Sequence, residues 1–183
     1  MTSPGPAGVP GRVGPADLPP PAETGELARL AVQLLTASGR TVAVAESLTG
    51  GLVTGALTSI AGASVVVRGG VVAYATDLKA ALLGVPADLL ARQGPVDPDV
   101  AVAMADGVRR LLGSTYGLAT TGVAGPGPAD GKPQGTVFVA VAGLSVSSCD
   151  GLEGVAGDRQ QVRAATVRSA LSLLVRALRE DSG

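Results

Sequence analysis

The sequence predicts a three-layer α/β/α sandwich around a central, mostly parallel or mixed sheet, and two observations lead to this prediction. Of the 183 residues, 46% are hydrophobic and only 16% are charged, which is typical of a globular chain with a sizeable core. Segments with the helical spacing of apolar residues also alternate with short apolar runs typical of buried strands. Helices interleaved with strands in this way cover both faces of one sheet.

The chain opens with a segment that has no apolar periodicity. Residues 1–22 are rich in proline and glycine, so we expect a disordered tail followed by one domain over residues 23–183. A helical stripe of apolar residues begins at Leu27, and Gly39 is expected to end that helix.

Strands and helices then alternate. The run "TVAVAE" (41–46) is a predicted strand, and a helix from about residue 49 to 60 follows it. The stretch "SVVVRGGVVAY" (64–74) also has strand character, with an interruption expected at its two glycines. A short helix is predicted over residues 76–83, and another begins near Pro86.

The second half continues the alternation. Asp97 followed by Pro98 is a typical helix start, because aspartate caps the first turn and proline fits the first helical position. That helix is expected to run to about residue 112. Three strands and a last helix complete the prediction: "TYGLATTG" (115–122), "GTVFVAVAG" (135–143), a strand within "SVSSCDGLE" (145–153), and a helix over about residues 158–178.

Composition excludes several classes of function. The net charge is −1 with no basic block, so binding to nucleic acid or a membrane surface through bulk charge is not expected. No membrane-length apolar run and no signal peptide are seen, and we expect a soluble cytoplasmic protein. The chain has one cysteine and no histidine, which rules out Ser-His and Cys-His catalysis and histidine metal sites within it.

The first candidate site is "AESLTGG", where Glu46 and Ser47 end a predicted strand. Thr49, Gly50 and Gly51 would open the next helix, and free amides at a helix start favour an anion or an oxyanion. Ser47 is therefore a candidate nucleophile, and Glu46 would orient its neighbours. The alternative is that Ser47 or Thr49 only caps the helix.

A nucleophilic serine needs a base, and lysine is the documented substitute for histidine. Lys79 follows the strand end "VVAYATDLK", and Tyr74 lies five residues earlier, where it could hold the amine or relay a proton. The alternative is that Lys79 is a solvated charge on its helix.

A second glycine-rich connection follows the strand that ends at Thr120 and Thr121. Such loops line ligand sites in α/β sheets, although glycine and proline also mark ordinary turns. Arg159 stands where the last helix begins and could clamp a phosphate or a carboxylate, or lie on the surface.

These segments together resemble the C-terminal domain family of competence/damage-inducible protein CinA. The matching pieces are "VAESLTGG", "GGVVAYATDLKAALLGV", "MADGVRR", "TTGVAGPGPADGKPQGTVFVAVA" and "GDRQQVR", in the family's order over about residues 26–178. The chain begins too late to include the larger N-terminal domain of full-length CinA proteins, so it is expected to be a stand-alone version.

The resemblance implies a cytoplasmic nicotinamide mononucleotide deamidase that works in pyridine nucleotide salvage. By this resemblance Ser47 is the nucleophile, and Lys79, Tyr74 and Thr121 join it in catalysis. Substrate-binding residues are expected at Glu46, Thr49, Gly50, Gly51, Gly122 and Arg159. No metal or organic cofactor is implied, the partner is a small nucleotide, and family members are commonly homodimers.

Two other functions stay open at this point. The first alternative is a non-catalytic nucleotide-binding or regulatory protein that keeps the pocket for another role. A weaker one, based only on "TTGVAGPG", is a pterin- or sugar-phosphate-binding domain. The presence of Ser47, Lys79 and Tyr74 together favours the enzyme, because a binding protein has no need of a nucleophile and a base.

Overall fold

A computed structural model describes residues 11–12, 24–143 and 146–181. These residues form one six-stranded sheet with helices on both faces, which confirms the predicted α/β/α sandwich. The strands are β1 (Gly11–Arg12), β2 (Val42–Glu46), β3 (Val67–Val72), β4 (Tyr116–Gly122), β5 (Val137–Ala142) and β6 (Ser147–Leu152). The α-helices are α1 (Thr24–Ser38), α2 (Leu52–Thr58), α3 (Thr76–Leu83), α4 (Ala87–Gln93), α5 (Pro98–Leu112) and α6 (Arg159–Glu180). None of the described helices is both long and apolar enough to cross a bilayer.

The sheet is mixed, and its parallel half creates the edge that carries the candidate site. The strand order is β1-β6-β5-β4-β2-β3. The central strand β2 is parallel to both β3 and β4, whereas β5 runs antiparallel to β4 and β6. Glu46 at the end of β2 pairs with Val72 of β3 and Thr120 of β4. The segments that leave these three strands therefore meet at one edge of the sheet.

Alternate residues of β2 face opposite layers, as the two-residue period of a strand requires. Val42 and Val44 join the apolar cluster that contains residues of α1, α2 and α6. Ala43 and Ala45 join the cluster that contains residues of α3 and α5. The two strand faces thus lead to different helices, and this alternation decides where the next side chains of the chain point.

The start of the chain can be compared with the prediction at only two residues. The expected disordered tail, residues 1–22, lies mainly outside the described residues. Gly11 and Arg12 are described, and they pair in parallel with Asp150 and Gly151 of β6. The predicted tail and its boundary with the domain stay predictions. Main-chain groups make this pairing, so it leaves no apolar pattern in the sequence.

Two other elements are shorter than predicted. The helix expected from residue 49 begins only at Leu52, because Gly50 and Gly51 have φ angles of 59° and 98°, which belong to a turn. The first residues of the expected strand over 64–74 lie in a short 3₁₀ turn, Ala63–Val65, before β3 begins. The interruption predicted within this strand is present as a register shift: Val42 pairs with Val67, and the next residue of β2 pairs with Gly69.

Asp97 caps α5 as predicted, since its carboxylate accepts a hydrogen bond from the Asp99 amide at 2.9 Å.

Glycine at position 107 is required by close helix packing, and we predict that Gly107→Ala destabilises the fold. A Cβ there would lie 1.9 Å from the Leu83 carbonyl oxygen, so α5 would have to move away from α3. The free energy of unfolding, measured by urea titration, should fall by about 1–3 kcal/mol. Gly55→Ala in α2 is the matched control, because nothing lies within 4 Å of its Cβ position. That change should raise stability by up to about 1 kcal/mol, and equal effects of the two substitutions would contradict the packing argument.

Candidate active site

A cleft of about 190 Å³ lies at the sheet edge where β2, β3 and β4 end. Three connections form it: the turn after β2, the segment between β3 and α3, and the glycine-rich loop after β4. The first residue of α6 closes the remaining side. The described lining consists of Ser47, Leu48, Tyr74, residues 122–127, Ala129, Asp130 and Arg159.

Ser47 and Lys79 are in direct contact beside this cleft. Lys79 extends from α3, its side chain is buried, and its Nζ donates to Ser47 Oγ at 3.1 Å and to the Ala73 carbonyl oxygen at 2.9 Å. The alternative of Lys79 as a solvated charge is therefore wrong. The alternative of Ser47 as a helix cap is not supported either, since Gly51 is the N-cap residue of α2 and the first amides of that helix donate to the Glu46 carboxylate.

Burial changes the acid–base character of Lys79. Loss of water around the amine lowers the pKa of Lys79, and the negative charge of Asp130 opposes this shift to a smaller degree. A lowered pKa increases the neutral fraction near pH 7. A neutral amine in contact with a serine hydroxyl is able to accept its proton, which is the property that a general base needs.

Glu46 does not reach the cleft, contrary to its predicted role in substrate binding. Its buried carboxylate accepts hydrogen bonds from the amides of Gly51, Val53 and Thr54 at 2.9, 3.1 and 2.8 Å. It also accepts one from the Thr54 hydroxyl at 2.7 Å. The carboxylate thus occupies the start of α2, where the helix dipole favours negative charge. These helix amides, Gly51 included, are therefore occupied by Glu46 and do not support the predicted contact with substrate.

Three further predicted residues are also turned away from the cleft. The Thr49 hydroxyl is buried against that of Thr120 at 2.8 Å, and the Gly50 amide donates to the Ser47 carbonyl oxygen at 3.1 Å. Thr121 is buried, and its hydroxyl donates to the Pro95 carbonyl oxygen at 2.6 Å. Each of these groups forms a hydrogen bond with a neighbouring polar group, as polar groups in a protein interior usually do. Substrate contacts through Thr49 and Gly50, and catalytic contact through Thr121, are not supported by these positions.

Arg159, Tyr74 and Gly122 do line the cleft, as predicted. The Arg159 guanidinium donates to the Gly125 carbonyl oxygen and to the Tyr74 hydroxyl, both at 2.7 Å. Tyr74 therefore contacts the arginine, and the group that holds the Lys79 amine is the carbonyl of the preceding residue. Glycine is needed at position 122, because a Cβ there would lie 2.6 Å from the Thr136 carbonyl oxygen.

Two residues that sequence reasoning missed also shape the site. Arg163 of α6 donates to the carbonyl oxygens of Leu48 and Thr49 at 3.0 and 2.9 Å, which fixes the turn after Ser47. Its position one helical turn after Arg159 was the available signal. Asp130 lies in the cleft wall, and the Asp-Gly pair at 130–131 was a recognisable hairpin turn.

The described residues assemble no group of three or more cysteine, aspartate or glutamate side chains that would hold a metal ion. The groups that face the cleft are instead a hydroxyl, a phenol, main-chain groups, one carboxylate and one guanidinium. This set suits a polar organic ligand that has an anionic part.

Comparison with known proteins gives a consistent family assignment. The family model described as the CinA C-terminal domain matches residues 24–178. A CinA-like protein of Frankia casuarinae is 51% identical over 145 residues, which cover 79% of this chain and 33% of that protein. A putative competence-damage inducible protein of Desulforamulus reducens is 49% identical over 141 residues, 77% of this chain and 34% of that one. The chain thus spans about a third of the length of the curated relatives it matches.

Solved structures of similar length share the fold. The competence/damage inducible protein CihA of Agrobacterium tumefaciens is 39% identical, with a TM-score of 0.81, over 88% of this chain and 98% of that one. A CinA superfamily protein of Escherichia coli is 31% identical, with a TM-score of 0.80, over 84% and 90% of the two chains.

The buried carboxylate under α2 yields a test of what holds this edge of the sheet together. Glu46→Gln keeps the side-chain shape but removes the charge and points an amide donor at backbone donors. We expect the free energy of unfolding in urea to fall by about 1–3 kcal/mol. Glu26→Gln, at an exposed site in the first turn of α1, is the control and should change it by less than about 0.5 kcal/mol. Unchanged stability of the Glu46 variant would show that the carboxylate does not hold the start of α2.

Proposed function

The chain belongs to the CinA C-terminal domain family, and on that basis we propose that it is a nicotinamide mononucleotide deamidase. It would hydrolyse the carboxamide to give nicotinate mononucleotide and ammonia, a step of pyridine nucleotide salvage. The contact of 3.1 Å between Lys79 Nζ and Ser47 Oγ is the observation that carries this proposal. A buried serine–lysine pair at the wall of an open cleft is one of the arrangements that can hydrolyse an amide without histidine.

In the first half of the reaction the neutral Lys79 amine accepts the Ser47 proton. The Ser47 oxygen then attacks the carboxamide carbon and forms a tetrahedral intermediate. When the carbon–nitrogen bond breaks, the proton held by Lys79 passes to the leaving nitrogen, which departs as ammonia. The product of this half is an ester between Ser47 and the nicotinoyl group.

In the second half a water molecule attacks the ester, and Lys79 accepts the proton of that water. The bond between the carbonyl carbon and Ser47 Oγ then breaks, and the serine recovers its proton from Lys79. The acid product loses its own proton to solvent. Both halves need a base that is neutral when substrate binds, and the burial of Lys79 supplies it.

The oxyanion of both intermediates needs hydrogen-bond donors. The amide after a nucleophilic serine is a common donor of this kind. The Leu48 residue lines the cleft, and among the described residues its amide has no hydrogen-bond partner. Arg163 holds the carbonyl oxygens of Leu48 and Thr49, which fixes the two peptide units that directly follow this amide. We assign the oxyanion to this amide in place of the start of α2.

The phosphate of the nucleotide is assigned to Arg159. A guanidinium stays charged at all working pH values and its fork matches the geometry of a phosphate. The cytoplasmic location, the single small-molecule partner and the homodimer remain part of this proposal. Purified protein that binds nicotinamide mononucleotide without releasing ammonia would favour the non-catalytic alternative.

We predict that Ser47 and Lys79 act as one unit in ammonia release. Ser47→Ala and Lys79→Met should each lower kcat by on the order of a thousandfold or more, and the double variant should be little worse than either. Lys132→Met, which changes the only other lysine, is the matched control and should retain the wild-type kcat. Near-normal kcat in Lys79→Met would show that Lys79 is not the base.

The lowered pKa of Lys79 also sets the direction of the pH dependence. Because the neutral amine is the active form, kcat/KM should rise with pH through the pKa of Lys79 and then level off. The midpoint should lie below the value of an exposed lysine, about 10.4. A rate that falls as pH rises over this range would contradict the assignment.

We predict that Arg159 recognises the phosphate. Arg159→Ala should raise KM for nicotinamide mononucleotide by about 10- to 100-fold, the loss expected for a hydrogen-bonded charge. The same change should have much less effect on nicotinamide riboside, which lacks the phosphate. Ammonia release from the two substrates measures both values, and equal losses on both would argue against a phosphate contact.

A further inference from the structure

Asp130 brings an acidic side chain to the cleft, and its backbone is held in a tight turn. Ala129 and Lys132 exchange two main-chain hydrogen bonds of 3.1 and 2.9 Å. Between them Asp130 and Gly131 have φ angles of 51° and 71°, the signs of a type I′ hairpin turn. The turn thus fixes the point on the loop from which the Asp130 side chain extends.

The two charged residues of the described lining have opposite signs. Arg159 is the cation and Asp130 the anion, and the other described lining residues are uncharged. Arg159 is hydrogen-bonded to Gly125 and Tyr74, whereas no ion pair among the described residues involves Asp130. The loop after β4 therefore presents to the cleft a carboxylate that has no ion-pair partner among the described residues.

The negative charge of Asp130 acts on the end of the cleft where Ser47 and Lys79 lie. It acts on Lys79, where it raises the pKa of the amine against the larger effect of burial. Lys79 in turn contacts Ser47 at 3.1 Å. A substrate ring held with its amide at Ser47 would lie within the same electrostatic field.

We infer that Asp130 determines specificity for the charge of the ring that bears the amide, and favours a cationic ring over a neutral one. The inference rests on the proposed function and names its preferred substrate form: N-glycosylated nicotinamide is a pyridinium cation. In the product this cation is balanced by the new carboxylate on the ring. Asp130 would therefore bind the substrate more tightly than the product, which helps the product to leave.

Asp130→Asn is a conservative test, because asparagine followed by glycine also suits a type I′ turn. Dissociation constants are measured in the Ser47→Ala background, which stops turnover, for three ligands of nearly equal shape. Nicotinamide mononucleotide carries a cationic ring, its reduced form a neutral ring, and nicotinate mononucleotide a ring whose charge is balanced. Asp130→Glu keeps the charge, and Asp88→Asn removes the same charge from α4, outside the cleft.

With Asp130→Asn we expect binding of nicotinamide mononucleotide to weaken roughly two- to fivefold, the size of an exposed ion pair. The other two ligands should change much less, Asp130→Glu should recover most of the loss, and Asp88→Asn should match the parent. Equal changes for all three ligands, or none for the cationic one, would overturn the inference. Ammonia release by the wild-type protein is scored separately, so an inactive protein would count against the deamidase alone.

Discussion

The end of β2 is the constraint on which the site depends. Two consecutive side chains leave a buried strand, and the strand geometry sends them to opposite faces of the sheet. Glu46 goes to the start of α2 and Ser47 to the side of α3. The carboxylate neutralises the positive end of α2, and the hydroxyl is left at the cleft in contact with Lys79. The end of β2 thus fixes both Glu46, which supports the fold, and Ser47, the candidate nucleophile.

Holding the turn after β2 requires more than the strand. Four donors on α2 and its approach converge on the Glu46 carboxylate, and Arg163 of α6 holds two carbonyl oxygens of the turn from the other side. These are charge-assisted hydrogen bonds, which are stronger than neutral ones. The turn that carries Ser47 is therefore held from two sides, and among the described residues only neutral main-chain groups such as the Leu48 amide are left to face the cleft.

The cleft combines a buried lysine behind its wall with two charged residues in its lining. Lys79 is buried and its pKa is lowered by the loss of water, so its neutral form is more populated than that of an exposed lysine. The charges of the lining, Arg159 and Asp130, are carried by a helix start and a hairpin turn. Two opposite charges on different elements can fix both the position and the orientation of a ligand that carries both charges. The proposed substrate, with a phosphate at one end and a cationic ring at the other, was assigned to the cleft on this basis.

The sequence alone predicted the layers of the fold and pointed to Ser47 and Lys79 as a candidate pair. Apolar periodicity predicted most of the helices and strands, since burying an amphipathic face leaves a regular pattern. The absence of histidine left lysine as the best candidate partner for a strand-end serine, and the family resemblance placed both. Gly122 and Arg159 were also expected at the cleft, and they line it.

Only the tertiary structure decided which polar groups face the ligand and which serve the fold. Glu46, Thr49, Gly50, Gly51 and Thr121 stand beside reactive residues in the sequence, yet each is engaged by a neighbouring element. Sequence order carries no information about those partners, because the donors and acceptors come together only when the helices pack on the sheet. The pairing of the short strand β1 was hidden for a related reason: its hydrogen bonds come from the main chain, which is the same for every residue type except proline.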